Sequence, residues 1–262
     1  MPVYALLLEY DGLPFRGWQR QSGGLSVQEV LEAAAARLAR GPVGTTVAGR
    51  TDAGVHASGQ VVALDLAAAF PLEKLAAALN YHLRPHPVAV LRAVPAPGGW
   101  SPRFSAISRV YRYSILNRSA PPALATGRVW HVPQLLDVAA MAEAARALIG
   151  RHDFSSFRAA GCQAKNPLRS LDRLTVSRAG EMIEVTAQAR SFLYHQVRNM
   201  VGSLKLVGDG SWEPARMAAV LASADRRVAG PTAPPFGLCL VAVDFAPDPF
   251  EDSAERDERA GP

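Results

Sequence analysis

The sequence predicts an α+β fold, and three observations support this prediction. Short apolar runs with β character are interleaved with alanine-rich amphipathic segments. Several neighbouring β runs are joined by turns too short for a parallel crossover, so these strands must pair antiparallel. The length of 262 residues and the apolar fraction of 49% allow two moderate domains, or one extended domain, with a sizeable core.

The first hundred residues predict three strands and two helices. In order, these are a strand over 3–9, a helix from a capping box at Ser26 and Glu29 to about Gly41, a strand over 60–66, a helix over 71–83 with proline at its first position, and a strand over 88–94. The Pro/Gly-rich stretch 95–102 indicates a boundary, so we expect an N-terminal α+β domain over 1–103.

The remaining residues predict a second α+β domain over 104–246. In order, its elements are a strand over 107–117, a helix over 138–149, a hairpin over 171–188 that turns at Ala179 and Gly180, helices over 194–207 and 214–223, a proline-rich loop over 230–235, and a strand over 238–245. Residues 247–262 are polar and proline-flanked, which predicts an acidic, disordered tail.

The charge distribution favours a polyanionic partner. The tail carries six acids and two arginines, which leaves 26 basic and 17 acidic residues, a formal charge of +9, in residues 1–246. A basic body is typical of proteins that bind nucleic acid, although arginine enrichment also reflects genome composition. The chain has no signal-peptide pattern and no apolar run long enough to span a membrane, so we expect a soluble protein of the cytoplasm.

Several common types of site have no motif here. The two cysteines form no CxxC pair, which argues against a zinc site or a disulfide framework. The sequence also lacks GxGxxG, GxxxxGK[ST], GxSxG and HExxH, the motifs of dinucleotide, P-loop, serine-hydrolase and zinc-peptidase sites. We therefore expect chemistry without a metal or cofactor.

The segment AGRTDAGVHASGQVVAL, residues 48–64, places Asp52 in an unusual setting. Arg50 lies two residues before it, and glycines at 49, 54 and 59 allow sharp turns or close approach to a ligand. A neighbouring arginine favours the ionised carboxylate, which could act as nucleophile, base or electrostatic partner. Alternatively, Thr51 and Asp52 cap a turn while Arg50 forms a surface ion pair.

The segment RVYRY, residues 109–113, combines cations with aromatic rings. Strand alternation puts Arg109, Tyr111 and Tyr113 on one face and Arg112 on the other. An aromatic ring can stack on a nucleobase, with a contribution of about 1–3 kcal/mol. The alternative is that both tyrosines pack in a half-buried sheet, and we expect one functional tyrosine rather than two.

In FLYHQVRNMVGSL, residues 192–204, helical periodicity predicts one apolar stripe and a second stripe that contains Tyr194, Arg198 and the following Lys205. Tyr194 and Arg198 would then be neighbours one turn apart. A solvated surface charge is the alternative for Arg198. We interpret His195 as a packing or hydrogen-bonding residue rather than a metal ligand, because no partner cluster accompanies it.

The segment FRGWQRQ, residues 15–21, alternates Arg16, Trp18 and Arg20. It could be a loop that contacts RNA. The commoner arrangement is a tryptophan buried in its own domain with exposed arginines around it.

These blocks together resemble the TruA family of tRNA pseudouridine synthases. The matching segments are YDG and FRGWQRQ in 10–21, SVQEVLE at 26–32, GRTDAGVHASGQV at 49–61, RFSAISRVYRYSI at 103–115, DFSSFRAAGCQ at 153–163, FLYHQVRNMVGSL at 192–204, and PPFGLCLVAVDF at 234–245. They cover nearly the whole body in order. The chain departs from the family at Cys239, where an aromatic residue is usual, and at LRPHPV, residues 83–88, where an LPxDI-like run is usual.

The resemblance implies a cofactor-free isomerase that converts uridine to pseudouridine at positions 38–40 of the tRNA anticodon stem-loop. It implies that Asp52 is the catalytic aspartate, that Tyr111 stacks on the target base, that Arg198 is the cation near Asp52, and that Arg50 helps to displace the target nucleotide. We also expect Arg16, Arg20, Arg103 and Arg109 to contact the substrate. Whether Asp52 attacks C6, attacks C1′ or abstracts a sugar proton stays open.

The resemblance further implies two related RRM-like halves that share a continuous, mainly antiparallel sheet around a central active-site cleft, and a homodimer whose tRNA-binding cleft crosses both subunits. A non-catalytic RNA-binding module of the RRM kind is the competing hypothesis. It is motivated by the aromatic strand and the basic body. A tRNA chaperone activity could accompany catalysis.

Overall fold

Ten strands join in one sheet in the computed structural model, which describes residues 2–251. The strands are Val3–Tyr10 (β1), Thr45–Val47 (β2), His56–Asp65 (β3), Val88–Pro95 (β4), Ala106–Leu116 (β5), Trp130–His131 (β6), Gly150–Asp153 (β7), Leu168–Ala179 (β8), Met182–Ala189 (β9) and Leu238–Phe245 (β10). The helices are Val27–Ala39 (α1), Leu72–Leu83 (α2), Val138–Arg146 (α3), Gln196–Gly208 (α4) and Arg216–Ser223 (α5). The predicted α+β class is confirmed.

The last strand, β10, joins the two halves of the sheet. The strand order is β4-β1-β3-β10-β5-β9-β8-β7, with β2 paired to β3 and β6 paired to β5. β10 runs antiparallel to β5, where Leu240 is opposite Tyr111, and parallel to β3, where Leu240 is opposite Ala57. The start of β3 and the middle of β5 are therefore held on either side of one residue. This continuous, mainly antiparallel sheet agrees with the predicted arrangement.

Helix α1 begins at the predicted capping box. The Ser26 hydroxyl accepts a hydrogen bond from the Glu29 amide at 3.2 Å, and the Glu29 carboxylate accepts one from the Ser26 amide at 3.0 Å. The two bonds satisfy groups that a bare helix end leaves without partners. The helix ends at Ala39, and Arg40 follows in the left-handed region at φ 52°.

Some predicted boundaries differ from the structure. α2 begins at Leu72, so Pro71 is its N-cap rather than its first residue. β3 begins at His56, four residues earlier than predicted, and α3 ends at Arg146. α4 begins at Gln196, so the prediction that Tyr194 lies in the helix, one turn from Arg198, is wrong. The backbone of His195, the residue before α4, is in the left-handed region, and this bend ends the helical run ahead of Gln196.

Apolar stripes on the helices bury the core. In α2, Leu75, Leu79 and Leu83 recur every four residues and are at most 1% exposed. In the first half, Trp18 is 2% exposed with its ring 6.1 Å from that of Tyr10, as expected for a buried tryptophan in FRGWQRQ. Full burial of one leucine side chain contributes about 1.5–3 kcal/mol to the free energy of folding.

Residues 252–262, most of the predicted acidic tail, lie outside the described residues. The part that is described, 247–251, turns back onto the body. Phe250 packs against the core, and its carbonyl accepts a hydrogen bond from Arg92 at 2.9 Å. Within residues 2–251, no helix is long and apolar enough to cross a membrane. Cys162 and Cys239 are free thiols.

Candidate active site

Asp52 lies in the loop between β2 and β3, and neighbours from its own half of the sheet fix this loop. The Thr51 hydroxyl and the buried Tyr10 hydroxyl are 2.7 Å apart, and the Thr51 carbonyl accepts a hydrogen bond from the Trp18 amide at 3.0 Å. The side-chain amide of Gln60, fully buried, donates to the Gly49 carbonyl at 2.8 Å. Thr51 therefore anchors the loop inward, and the Asp52 side chain remains 21% exposed.

Two groups from the second half of the chain meet one oxygen of this carboxylate. Arg198 Nη1 donates a hydrogen bond to Asp52 Oδ2 at 3.4 Å, and His195 Nε2 lies 3.4 Å from the same atom. Arg198 is only 12% exposed, so it is not the solvated surface charge of the alternative interpretation. Among the described residues, no hydrogen bond reaches Oδ1 of Asp52. One carboxylate oxygen is thus held, and the other is available for a ligand.

Arg50 is close to Asp52 in sequence but is not paired with it in the structure. Its side chain is exposed, and no ion pair joins it to Asp52 in the part of the chain that the structure describes. The cation at Asp52 is Arg198, which is 146 residues away along the chain.

A network behind α4 sets the position of Arg198. Arg198 Nε donates to the Ala233 carbonyl at 2.8 Å, which links the helix to the proline-rich loop 230–235. Arg226 Nη2 donates to Asn199 Oδ1 and to Thr232 Oγ1, both at 3.1 Å. This loop approaches α4 so closely that a Cβ at position 202 would overlap the Pro231 carbonyl oxygen. The glycine at 202 therefore permits the contact.

Tyr111 faces the Asp52 loop. It is 8% exposed, its ring contacts that of Phe192 edge-on at 5.3 Å, and its hydroxyl would lie 3.9 Å from a Cβ at Gly49. Burial raises the pKa of the Tyr111 hydroxyl above its usual range, and the nearby Tyr10 and Asp52 raise it further. Tyr111 is therefore a neutral phenol at physiological pH, able to donate a hydrogen bond.

Tyr113 is a core residue by contrast. It is fully buried, and its hydroxyl donates to the Pro234 carbonyl at 2.8 Å. Burial again raises the pKa of the phenol. Only one of the two tyrosines in RVYRY is therefore close to the Asp52 loop.

Arg109 is buried and bound to backbone carbonyls. It is 8% exposed, Nε donates to the Ala48 carbonyl at 3.1 Å, Nη2 donates to the Arg103 carbonyl at 3.1 Å, and Nη1 donates to the Arg190 carbonyl. Burial lowers the pKa of this guanidinium. The side chain ties β5 to the beginning of the Asp52 loop, which is a structural role that its sequence context did not indicate.

The other three arginines expected at the substrate are exposed. Arg20 pairs with Glu32 at 2.9 Å, and the Arg103 guanidinium lies 5.6 Å from the Phe104 ring centroid. Arg16 contacts its own loop through its backbone amide, which donates to the Leu25 carbonyl at 2.9 Å. Within the described residues, none of the three forms a hydrogen bond or an ion pair with Asp52.

His195, which the sequence indicated only as a packing or hydrogen-bonding residue, also lies at this site. Its imidazole lies 22% exposed between Asp52 and Tyr194, whose ring centroid is 3.9 Å away. Burial lowers the pKa of His195, and Arg198 and Arg226 lower it further, whereas Asp52 acts in the opposite direction. Helical spacing does not give this position, because His195 precedes α4 and is in the left-handed conformation.

Chemically, the site combines a partly exposed carboxylate, a charged partner on one of its oxygens, and the neutral phenol of Tyr111 on β5, across β10 from β3. Residues 2–251 contain no group of three or more His, Cys, Asp or Glu side chains placed to hold a metal ion. The arrangement suits nucleophilic or proton-transfer chemistry by the carboxylate.

Comparison with known proteins gives one consistent result. The family described as tRNA pseudouridine synthase matches residues 7–105 and 144–246. A protein named tRNA pseudouridine synthase A from Acidiphilium cryptum (strain JF-5) is 64% identical over 252 residues, which cover 95% of this chain and 99% of that protein. The protein of the same name from Paramagnetospirillum magneticum (strain ATCC 700264 / AMB-1) is 56% identical over 246 residues, or 94% of this chain and 96% of that protein.

Proposed function

The chain belongs to the tRNA pseudouridine synthase family, and on this premise we propose that it isomerises uridine at positions 38–40 of the tRNA anticodon stem-loop, with Asp52 as its catalytic residue and no cofactor. The observation that carries the proposal is the arrangement around Asp52. Its Oδ2 is bound by Arg198 at 3.4 Å while its Oδ1 has no hydrogen bond among the described residues. Membership of the family makes the chain an isomerase that acts on tRNA.

The reaction sets clear requirements for such a site. The N1–C1′ bond of uridine must break, the uracil must turn within the pocket, and a C5–C1′ bond must form. Substrate and product are isomers, so the overall conversion needs no oxidant or reductant. Asp52 could attack C6, attack C1′ or remove a sugar proton, and in each case Oδ1 is the oxygen that is open to the nucleotide.

Arg198 and Tyr111 have distinct roles in this proposal. Arg198 is the cationic partner of Asp52, and its hydrogen bond keeps Oδ2 in place. Tyr111 would stack on the target base, and its neutral hydroxyl lies beside the Gly49 backbone at the base of the same loop. Arg50 would contact the RNA as the target nucleotide leaves its stack, and its exposed side chain two residues before Asp52 supports this role.

We also propose that the protein works in the cytoplasm as a homodimer whose two subunits share a tRNA-binding cleft. Support comes from the family resemblance and from the charge of +9 on residues 1–246. Phosphate contacts from this basic surface would offset the few kcal/mol needed to unstack the target nucleotide. Binding should therefore weaken steeply as salt concentration increases.

The test is tritium release from C5-labelled uridine in tRNAs that differ only at positions 38, 39 and 40. Asp52→Asn should lower turnover by about 10³-fold or more, because an amide can neither attack nor accept the proton in the same way. Its tRNA affinity should stay within about twofold, because phosphate contacts supply most of the binding.

Asp172→Asn is the matched control, since Asp172 is exposed on β8 and the charge change is the same. It should leave turnover unchanged. Tritium release at the wild-type rate by Asp52→Asn would refute the assignment of Asp52 as the catalytic residue. No release by the wild-type protein would favour a non-catalytic RNA-binding module. Release only from tRNAs with uridine outside positions 38–40 would refute the proposed target.

A further inference from the structure

His195 adopts a left-handed backbone conformation, which costs free energy for any residue other than glycine. It is the N-cap of α4 with φ 59° and ψ 9°, in the left-handed region, and its side chain makes no capping hydrogen bond. Outside glycine, this region is uncommon and is enriched in asparagine, aspartate and histidine, and a residue with a side chain held there costs about 1–3 kcal/mol. Glycine would adopt this backbone with less strain, and asparagine could also cap the helix, whereas the His195 side chain makes no capping hydrogen bond and is directed elsewhere.

The surrounding contacts hold this bend firmly. The Leu193 amide donates to Gln196 Oε1 at 2.8 Å, and the Asn199 amide donates to the His195 carbonyl at 2.9 Å. On the side-chain end, the Tyr194 ring lies over the imidazole at an angle of 33°. The strained residue is thus fixed from both sides, which is the situation in which strain persists at functional sites.

The bend directs the imidazole at Asp52. His195 Nε2 lies 3.4 Å from Oδ2, the oxygen that Arg198 also contacts. Burial and the cations Arg198 and Arg226 lower the pKa of His195, so the ring is neutral at physiological pH. A neutral imidazole that faces a carboxylate through Nε2 carries its hydrogen on that atom.

We propose that His195 is a positioning residue for Asp52, whose neutral imidazole donates Nε2–H to Oδ2 and, together with Arg198, orients Oδ1 toward the target nucleotide. The inference rests on the proposed role of Asp52 as the catalytic residue. Contacts of this kind are often long in the absence of substrate and shorten when substrate binds. In this proposal, the strained backbone at residue 195 directs the imidazole that holds the Asp52 carboxylate in place.

A pH effect follows from this geometry. The charged groups that face the imidazole are Asp52 from the loop before β3, Arg198 from α4 and Arg226 from the turn after α5. Protonation at low pH would convert the neutral donor into a second cation on Oδ2, which makes the carboxylate less nucleophilic. Since the pKa of His195 is lowered, this loss of activity should begin only below about pH 6.5.

Two substitutions separate the side-chain role from the backbone role. His195→Asn suits the left-handed backbone but is too short to reach Asp52, so kcat should fall about tenfold, KM for tRNA should stay unchanged, and Tm should rise by about 2 °C. His195→Gln can place an amide N–H near the position of Nε2 but cannot be protonated. It should keep kcat within about threefold and lose the histidine-dependent acidic limb of the pH profile.

Turnover is measured by tritium release between about pH 5.5 and pH 8.5, with His86→Asn, in an exposed turn, as the control for a histidine change elsewhere. Full kcat in His195→Asn overturns the inference. The inference is also overturned if His195→Asn and His195→Gln lose kcat to the same extent and both lower Tm, because this result indicates only a packing role. If Asp52→Asn itself stays active, the proposed function fails first; an inactive Asp52→Asn with a fully active His195→Asn refutes the positioning role alone.

Discussion

The two regions that meet at Asp52 are fixed in different ways. The loop before β3 is held by neighbours in its own half of the sheet, through Tyr10, Trp18 and Gln60. The first turn of α4 is held from behind by loop 230–235, through Arg198 to the Ala233 carbonyl and through Asn199 to Thr232. The loop supplies the carboxylate, whereas the start of α4 supplies His195 and Arg198, which each lie 3.4 Å from its Oδ2. Damage to each region should therefore have a different signature.

The largest effect on the helix side should come from Gly202→Ala. The new Cβ would overlap the Pro231 carbonyl, and because that atom is backbone, either α4 or the loop must move. We expect a loss of about 3 kcal/mol or more in the free energy of unfolding, from urea denaturation. Gly44→Ala, where nothing lies within 4 Å of the added Cβ, is the control and should change stability by less than about 1 kcal/mol. A stable Gly202→Ala protein would show that α4 is not clamped by the loop.

A purely electrostatic change on the same side should affect turnover more than folding. Arg198→Met removes the donor to Asp52 and to the Ala233 carbonyl, so turnover should fall about 100-fold, with a loss of stability of about 1–2 kcal/mol. Arg198→Lys keeps the positive charge, but its single ammonium group cannot donate both to Asp52 and to the Ala233 carbonyl as the guanidinium does. It should therefore recover only part of the wild-type turnover rate. Equal turnover in the Arg198→Met and Arg198→Lys variants, measured by tritium release, would show that charge at this position is unimportant.

The same contrast explains what could be predicted from the sequence. Elements with local causes, such as the capping box of α1, the alternation in β5 and the buried leucines of α2, follow from spacing alone. The position of Asp52 in a glycine-rich loop also follows from local sequence, and its proposed partners Tyr111 and Arg198 came from motif resemblance.

Features with long-range causes did not follow. The parallel pairing of β10 with β3 places the final strand in the middle of the sheet, which no local pattern encodes. Arg109 was expected at the substrate, but its guanidinium is satisfied by carbonyls from distant segments. The left-handed bend at His195 interrupts a helical pattern that otherwise extends back to Tyr194, and tertiary contacts hold it there.

On the loop side, Tyr10→Phe should give a moderate effect. It removes the 2.7 Å hydrogen bond to Thr51, and we expect a loss of about 1 kcal/mol in stability.

Burial raises the pKa of Tyr10 to about 12 from a usual 10.0, so the native state favours the neutral phenol. Its contribution to stability is therefore complete below about pH 10 and is lost as the pH rises toward about 12. The Tyr10→Phe variant should lose less stability over this interval than the wild type in alkaline urea titrations, and identical slopes would contradict the explanation.

The smallest effect on folding is expected at Arg20, which lies in the first half but outside the Asp52 loop. Its ion pair with Glu32 is 2.9 Å long, but the arginine side chain is 57% exposed, so Arg20→Met should change stability by less than about 0.5 kcal/mol. If Arg20 contacts tRNA, as its place in FRGWQRQ suggested, Arg20→Met should raise the Kd for tRNA by about threefold to tenfold at low salt. The slope of log Kd against log salt concentration should decrease by about 0.9, the value expected for the loss of one phosphate contact. Glu32→Gln is the matched variant, because it breaks the same pair without removing the cation. An unchanged salt slope in Arg20→Met would restrict the role of this arginine to the surface of its own domain and leave tRNA contacts to other cations.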